Sequence, residues 1–215
     1  MSGLRKQICL PLTHQNAAGA ARLYTEVFTA DEPTTRHADL DSSRFLPFAV
    51  HYVRTLVDMD LSYLTGDGET EEPAGFIFCL DLTDDPEQGG PEMIAFLSHF
   101  REAIAMINEL EDRYFDREAI QSGSVLHIFQ IGVKREFRGT GIAQQMIHQV
   151  IKQARNRGFT RIVADCTSIT SKRVFERCGF LEAGYYPYQD FQLNGVRHFE
   201  GLDHGIYLMV KELGT

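Results

Sequence analysis

One stretch constrains this chain more than any other: "LHIFQIGVKREFRGTGIAQQMIHQVIKQA", Leu126 to Ala154. Its first part, "LHIFQIGV", is rich in β-branched and aromatic residues and predicts a strand. Its last part places apolar residues at Ile142, Met146, Ile147, Val150, Ile151 and Ala154, the spacing of one helix face. Between them stands Arg138-Gly139-Thr140-Gly141, a turn with two glycines and a cation. A helix entered through such a turn exposes its first unpaired N–H groups and the positive end of its dipole. Glycines let anionic oxygens approach that backbone, and an arginine adds a full charge. Arg138, Gly139, Thr140, Gly141, Ile142 and Ala143 therefore form a candidate pyrophosphate cradle. The spacing is neither G-x-x-x-x-G-K-[ST] nor G-x-G-x-x-G, so the common nucleotide and dinucleotide fingerprints are absent here. Taken alone, the tetrapeptide fits an ordinary glycine-bearing turn equally well.

With 215 residues, 43% of them hydrophobic, the chain can bury a substantial core, and a single domain over residues 1–215 is expected. The net charge of −9 argues against a general nucleic-acid binder. It suits a cationic or neutral small substrate, and it equally serves solubility. Cys9, Cys79, Cys166 and Cys178 show no C-x-x-C spacing and sit in apolar contexts, so reduced core thiols are expected, with neither a disulfide frame nor a metal site. The apolar run after Arg5 and Lys6 is only "ICLPL", and no segment approaches the ~18 apolar residues of a membrane span. The expectation is a soluble cytoplasmic protein without a membrane or nucleic-acid partner.

Along the chain, "KQICLPL" reads as a strand and "NAAGAARLYTEVF" as a helix that "ADEPTT" breaks, because Pro33 disfavours helical geometry at Glu32. Asp41-Ser42-Ser43 is a cap cluster opening a helix through "FLPFAVHYVRTLVDM". Strands "LSYLTG" and "GFIFCLDL" follow, joined across "DGETEEPA" as a hairpin. Residues 85–123 read as an inserted helical segment, with the loop "DDPEQGGP" before "EMIAFLSHFREAIAMINELEDRYF", whose helical periodicity runs throughout. After the strand–helix junction come a strand "RIVADC", a helix "SKRVFERCGF", a strand around "LEAGYYPYQDF", an Asn-Gly turn at 194–195, and a last strand "GIYLMVKEL". Helices and strands mix without strict alternation, which predicts an α/β (mixed α+β) class, a mixed sheet flanked by helices.

Two blocks in this order carry a resemblance. "VKREFRGTGIA" followed by "RVFERCGF" is similar to the pyrophosphate loop and cofactor-side helix end of the GNAT superfamily of acyl-CoA-dependent N-acyltransferases. Segments "VFTADEPTT", "DCTSITSKRVFERCGF" and "HGIYLMVKEL" further resemble the insect-type arylalkylamine (dopamine) N-acetyltransferases. The resemblance implies the GNAT fold with a splayed central sheet, acetyl-CoA as co-substrate along the "HIFQIGV" strand, and a small primary amine as acceptor. A protein N-terminus or lysine as acceptor, or an acyl-CoA-binding module without turnover, are the alternatives; a monomer or homodimer is expected.

Within that resemblance, backbone N–H groups at Ile131, Gly132 and Val133 are the expected oxyanion and pantetheine partners, with Gly132 permitting a bulge. Glu32, in "DEP", stands where those enzymes place their catalytic glutamate, and His127 is the second candidate base. Ser171 and Thr167 align with the two serines of the resembling motif. Helical spacing sets Ser171 on one face with Val174, Phe175 and Cys178, and Ser168 is a candidate cap. Phe175 replaces a tyrosine that many members use as general acid, and it has no proton to give. Tyr185, Tyr186, Tyr188 and Phe191, with Phe45 and Phe48, are candidates for an acceptor wall, although aromatic rows in strands are more often core.

Overall fold

In the computed structural model, residues 8–66, 72–84 and 90–214 are described. Calls on Lys6 and Gln7, on most of the 67–74 hairpin connection, and on residues 85–89 of the "DDPEQGGP" loop lie outside that set. The chain opens with β1 (Ile8–Pro11), α1 (Ala17–Asp31), α2 (Pro33–His37) and α3 (Ser42–Met59). It continues through β2 (Tyr63–Gly66), β3 (Gly75–Asp81), α4 (Pro91–Leu97), α5 (Arg101–Glu111) and β4 (Val125–Val133). Next come α6 (Ile142–Asn156), β5 (Arg161–Cys166), α7 (Ile169–Arg177), β6 (Leu181–Pro187), the short β7 (Gln192–Leu193) and β8 (Val196–Arg197), and β9 (Gly205–Glu212).

The main sheet has seven strands in the order β1-β2-β3-β4-β5-β9-β6. Every neighbouring pair is antiparallel except β4–β5, the two strands joined by the crossover helix α6. Strand alternation divides the core between two layers. On β3, Ile77 and Cys79 face α6 and α7, while Phe76 and Phe78 face α1 and α3. The six apolar positions expected of α6 are all buried in the first layer. A third cluster packs α5 against Tyr186, Ile206 and Leu208 of β6 and β9. The cysteines are free thiols, and burial pushes the Cys9 thiol up to about 11, well away from reactivity at neutral pH. No helix among the described residues is long and apolar enough to cross a membrane.

Local signals explain most element ends. Asp41 caps α3, accepting from the Ser43 and Arg44 amides at 2.8 and 2.9 Å, and Pro47 does not end that helix. Asn194 and Gly195 adopt φ of 56° and 77° between β7 and β8, as a two-residue hairpin turn requires. Two expectations change. Apolar periodicity runs on through residues 92–115, yet the segment breaks into α4, a 3₁₀ turn over Ser98–Phe100, and α5. The break at "DEP" is present, and a short helix, α2, starts directly beyond it with Glu32 as its cap.

The site is positioned by how β4 leaves β5. Their pairing runs from Val125↔Arg161 to Ile128↔Ala164 and stops, although β4 continues to Val133 and β5 to Cys166. Beyond Ile128 the two strands are splayed. The bulge lies at this point, not at Gly132: Cys79 pairs with Ile128 and Phe78 with Gln130, leaving Phe129 as the extra residue. Gly132 pairs regularly with Phe76 and is required for a different reason, since a Cβ there would stand 2.5 Å from the Phe76 ring. Gly132→Ala is therefore expected to lower stability by about 1–3 kcal/mol through overpacking. Urea denaturation checks this, and an unchanged midpoint would show that the ring moves aside freely.

Candidate active site

A cavity of about 760 Å³ opens along the splayed ends of β4 and β5. Ile131, Gly132, Val133, Arg138, Gly139, Gly141 and Ala143 line it, as do Glu32, Thr167 and Ser171. Thr140 and Ile142 do not. The Thr140 hydroxyl turns back to donate to the Phe137 carbonyl at 2.6 Å, and Ile142 is buried in the α6 core layer.

The junction before α6 has the backbone of an anion cradle. Gly139 and Gly141 hold φ of 77° and 89°, and Gly141, as N-cap, offers the first turn no side-chain acceptor. Arg138 does not point into open solvent. Its guanidinium donates to Asp31 at 2.5 Å and to the Val133 carbonyl at 3.0 Å, while Arg135 reaches the other Asp31 oxygen at 3.1 Å. The Arg138 hydrogen bond, with Arg135 adding to it, holds the Asp31 carboxyl below the usual carboxylate range. The clasp is thus intact at neutral pH, and it ties the cradle to the end of α1.

Glu32 is the next residue, and its extended backbone, with ψ of 124°, ends α1 before Pro33. Its carboxylate accepts four hydrogen bonds. Oε1 takes the Thr34 amide at 3.1 Å and the Thr167 hydroxyl at 2.7 Å; Oε2 takes the Thr34 hydroxyl at 2.8 Å and the Thr35 amide at 2.6 Å. All four lone-pair directions are engaged. Two residues expected in the chemistry, Glu32 and Thr167, are therefore in direct contact across 135 positions of sequence. Buried Tyr188 donates to the Thr167 carbonyl at 2.9 Å and secures the turn out of β5.

Ser168 caps α7, its hydroxyl accepting from the Ser171 amide at 3.2 Å. The Ser171 hydroxyl donates back to the Ser168 carbonyl at 2.9 Å, a local bond to the residue three before it. Phe175 lines the cavity and packs edge-on against Phe180 at 5.0 Å. His127 stays off the cavity wall, with Nε2 2.9 Å from Asp165 Oδ2. Together with fully buried Glu111 these groups lie within 4.8 Å of one another, a spacing a metal ion can bridge. Arg117 already pairs with Glu111, and His127 already faces Asp165, so both carboxylates have a basic neighbour.

The aromatic wall is only partly the expected one. Phe45 and Phe48 line the cavity, joined by Phe96, Phe100 and Phe129. Tyr185, Tyr186, Tyr188 and Phe191 do not: Tyr185 stacks on Tyr207 at 4.5 Å, and the other three belong to the α5 core cluster. Asp31 and the buried Tyr52–Gln130 hydrogen bond, 2.8 Å long, were missed in the sequence. The only trace of Gln130 was one amide inside an otherwise apolar strand end.

Comparisons with known proteins agree with this geometry. Arylalkylamine N-acetyltransferase 2 from Aedes aegypti superposes with a TM-score of 0.79 at 19% identity, covering 97% of this chain and 100% of that one. The Drosophila melanogaster polyamine N-acetyltransferase does so with a TM-score of 0.72 at 16% identity, covering 97% and 100%. These likenesses establish a shared fold. A curated relative, N-acetyltransferase 8B of Rattus norvegicus, is 31% identical over 75 residues, which span 34% of this chain and 34% of that protein. The sequence profile of the Acetyltransferase (GNAT) family matches residues 21–180, well over half of the chain. With the splayed sheet and the glycine junction where that profile runs, the chain belongs to the GNAT acetyltransferase family.

Proposed function

We propose that the protein transfers an acetyl group from acetyl-CoA to a small primary amine with an apolar, arylalkylamine-like body. The observation that carries this reading is the Glu32–Thr167 hydrogen bond inside the cavity, beside the splayed strands. The chain's own features fit the co-substrate. The uncapped N-terminus of α6 and its two glycines suit a pyrophosphate, and the edge of β4 freed beyond Ile128 suits an extended pantetheine arm. When bound there, the thioester supplies the activated acetyl group. Backbone N–H groups near Ile131 to Val133 are the donors available to its carbonyl oxygen.

The acceptor amine arrives as an ammonium and must lose a proton before it attacks. Glu32 has no unoccupied lone pair, so the proton reaches it most directly through Thr167. The Thr167 hydroxyl already gives its hydrogen to Glu32, which leaves its own oxygen free to accept an N–H from the amine. Thr167 then relays and Glu32 receives. Ser171, four residues before Phe175 on one helical face, is the hydroxyl nearest in sequence to the missing tyrosine, and its role is to turn from the Ser168 carbonyl and hydrogen-bond the departing thiolate. A CoA thiol with a pKa near that of cysteine, ≈ 8.5, leaves without obligatory protonation near neutral pH, and the second proton the nitrogen sheds on becoming an amide ends on that thiolate, directly or through solvent. The aromatic wall favours an arylalkyl body over a second cation.

Substitutions in the relay, the cradle and α7 test this. Thr167→Val should lower kcat by ~10²-fold, within the usual worth of proton transfer, while Thr167→Ser restores most of it. Glu32→Gln should match the valine variant in kcat with CoA affinity held; wild-type turnover in either would remove the relay. For the cradle, calorimetric titration with CoA should show Arg138→Ala weakening binding by about 1.5–3 kcal/mol. Asp31→Asn should act in the opposite direction, tightening CoA roughly threefold by releasing an exposed ion pair from Arg138. Equal affinity in both variants would take the phosphates away from Arg138. Ser171→Ala should lower kcat most visibly below the thiol pKa; full kcat with reduced stability would make this hydroxyl a helix-turn bond only.

A further inference from the structure

Where β4 and β5 part, three buried side chains meet that the acetyl transfer proposed above does not use. His127 stands on β4, Asp165 on β5 just beyond the last pair Ile128↔Ala164, and Glu111 is the final residue of α5. Their side chains are 8%, 5% and 0% exposed, in that order. One ligating atom from each lies within 4.8 Å of the others. The surroundings are apolar: buried Val125 and Val163 alternate with His127 and Asp165 along the two strands, and the Phe129 ring lies 5.3 Å from His127. The basic neighbours account for one oxygen of each carboxylate. Glu111 Oε2 takes the Arg117 guanidinium, and Asp165 Oδ2 faces His127 Nε2 at 2.9 Å. Glu111 Oε1 and Asp165 Oδ1 are buried with no hydrogen-bond donor among the described residues.

A buried carboxylate oxygen without a partner is costly, and in a native core it calls for an ion, a water or a proton. Charge separates these. The two carboxylates face one full cation, Arg117, which is itself 43% exposed. A proton on His127 Nε2 would restore the balance but would meet only Asp165 Oδ2, leaving both orphan oxygens as they are. A water brings two hydrogens and no charge. One divalent cation answers both needs. We propose that Glu111, His127 and Asp165 bind a zinc ion. His127 Nε2, Glu111 Oε1 and Asp165 Oδ1 supply an imidazole nitrogen and two carboxylate oxygens, with Asp165 Oδ2 as the fourth donor, a set that suits zinc. Ligand atoms about 2.0–2.2 Å from one zinc ion stand roughly 3–4 Å apart, so small carboxylate rotations close the cluster. Nε2 meets the metal with its lone pair, which puts the ring proton on Nδ1. Arg117 keeps Glu111 Oε2 and also donates to Asn108 Oδ1 at 3.2 Å, so it is the outer partner that orients this ligand. The ion's place is structural, since only Asp165 of the three lines the cavity. It ties the end of α5 to both splayed strands.

The test is calorimetric titration of chelator-stripped protein with zinc chloride, in a buffer that does not bind the metal. Wild type should bind a single zinc ion per chain, and zinc at a hundred times Kd should raise Tm by roughly 5–10 °C. Glu111→Gln keeps the shape and removes the charge, and should weaken zinc by at least ~10²-fold, beyond what loss of an outer partner costs. His198→Ala removes a histidine outside the cluster, 3.8 Å from Glu102, and should leave the affinity unchanged. X-ray absorption at the zinc edge of the wild-type complex reads the ligands without any variant, which keeps the test decisive if Glu111→Gln fails to fold. One imidazole among oxygen donors supports the site; sulfur or several imidazoles overturns it. A folded wild type that binds no zinc, or equal affinity in folded Glu111→Gln, overturns the proposal and leaves the orphan oxygens to a shared proton. None of these outcomes bears on the acetyltransferase reading, whose steps use none of the three ligands.

Discussion

The parallel pairing of β4 and β5 ends at Ile128 and Ala164, and the rest of the site depends on that short ladder. Parallel strands need a crossover, and here the crossover is α6, which starts just past the free end of β4. Its N-terminus therefore stands beside the splay. The free end of β5 runs straight into Thr167, Ser168 and α7. A bulge raises local twist, and the extra Phe129 sits where the two strands part. One extra residue thus coincides with an opening whose two sides carry a helix N-terminus and a row of hydroxyls. Ligands gather outside the carboxyl ends of parallel strands for this kind of reason.

The α1–α2 corner closes the opening from a third side. Asp31 reaches the arginines that follow β4, and Glu32 reaches the threonine that follows β5. Neighbouring carboxylates on one chain serve opposite walls of the cavity. The pre-proline backbone at Glu32 makes this division possible, because it ends α1 in extended geometry before α2 begins. Two charges that would repel if held side by side have separate partners, arginines for Asp31 and neutral N–H and O–H donors for Glu32.

What was legible in the sequence was mostly local. The period of α6, the Asp41 cap and the Asn194-Gly195 turn are written in adjacent residues and needed no tertiary information. The bulge was misplaced because it is a mismatch between two strands. Gly132 looked like its cause, whereas that glycine answers to the Phe76 ring. An aromatic row gives no sign of whether a helix will cover it, so a pocket wall stood beside the commoner core reading for these residues; α5 covers Tyr186, Tyr188 and Phe191, and Tyr185 stacks on Tyr207. The turn at Ser98–Phe100 was invisible because apolar spacing persists when a helix changes axis. Tyr52 and Gln130 are 78 positions apart, and no window of sequence relates them.

On the proposed mechanism, Glu32 holds two posts at once. The oxygens that would take up the acceptor's proton are also the ones that secure the Thr34 and Thr35 amides at the start of α2. A carboxyl that gains a proton becomes a weaker acceptor and loses its attraction to the helix's positive end. Each catalytic cycle would then briefly loosen the corner that bounds the cavity, at the moment when the amine has just become an amide. On the proposed mechanism, one carboxylate would thus serve both the chemistry and the shape of the cavity's corner.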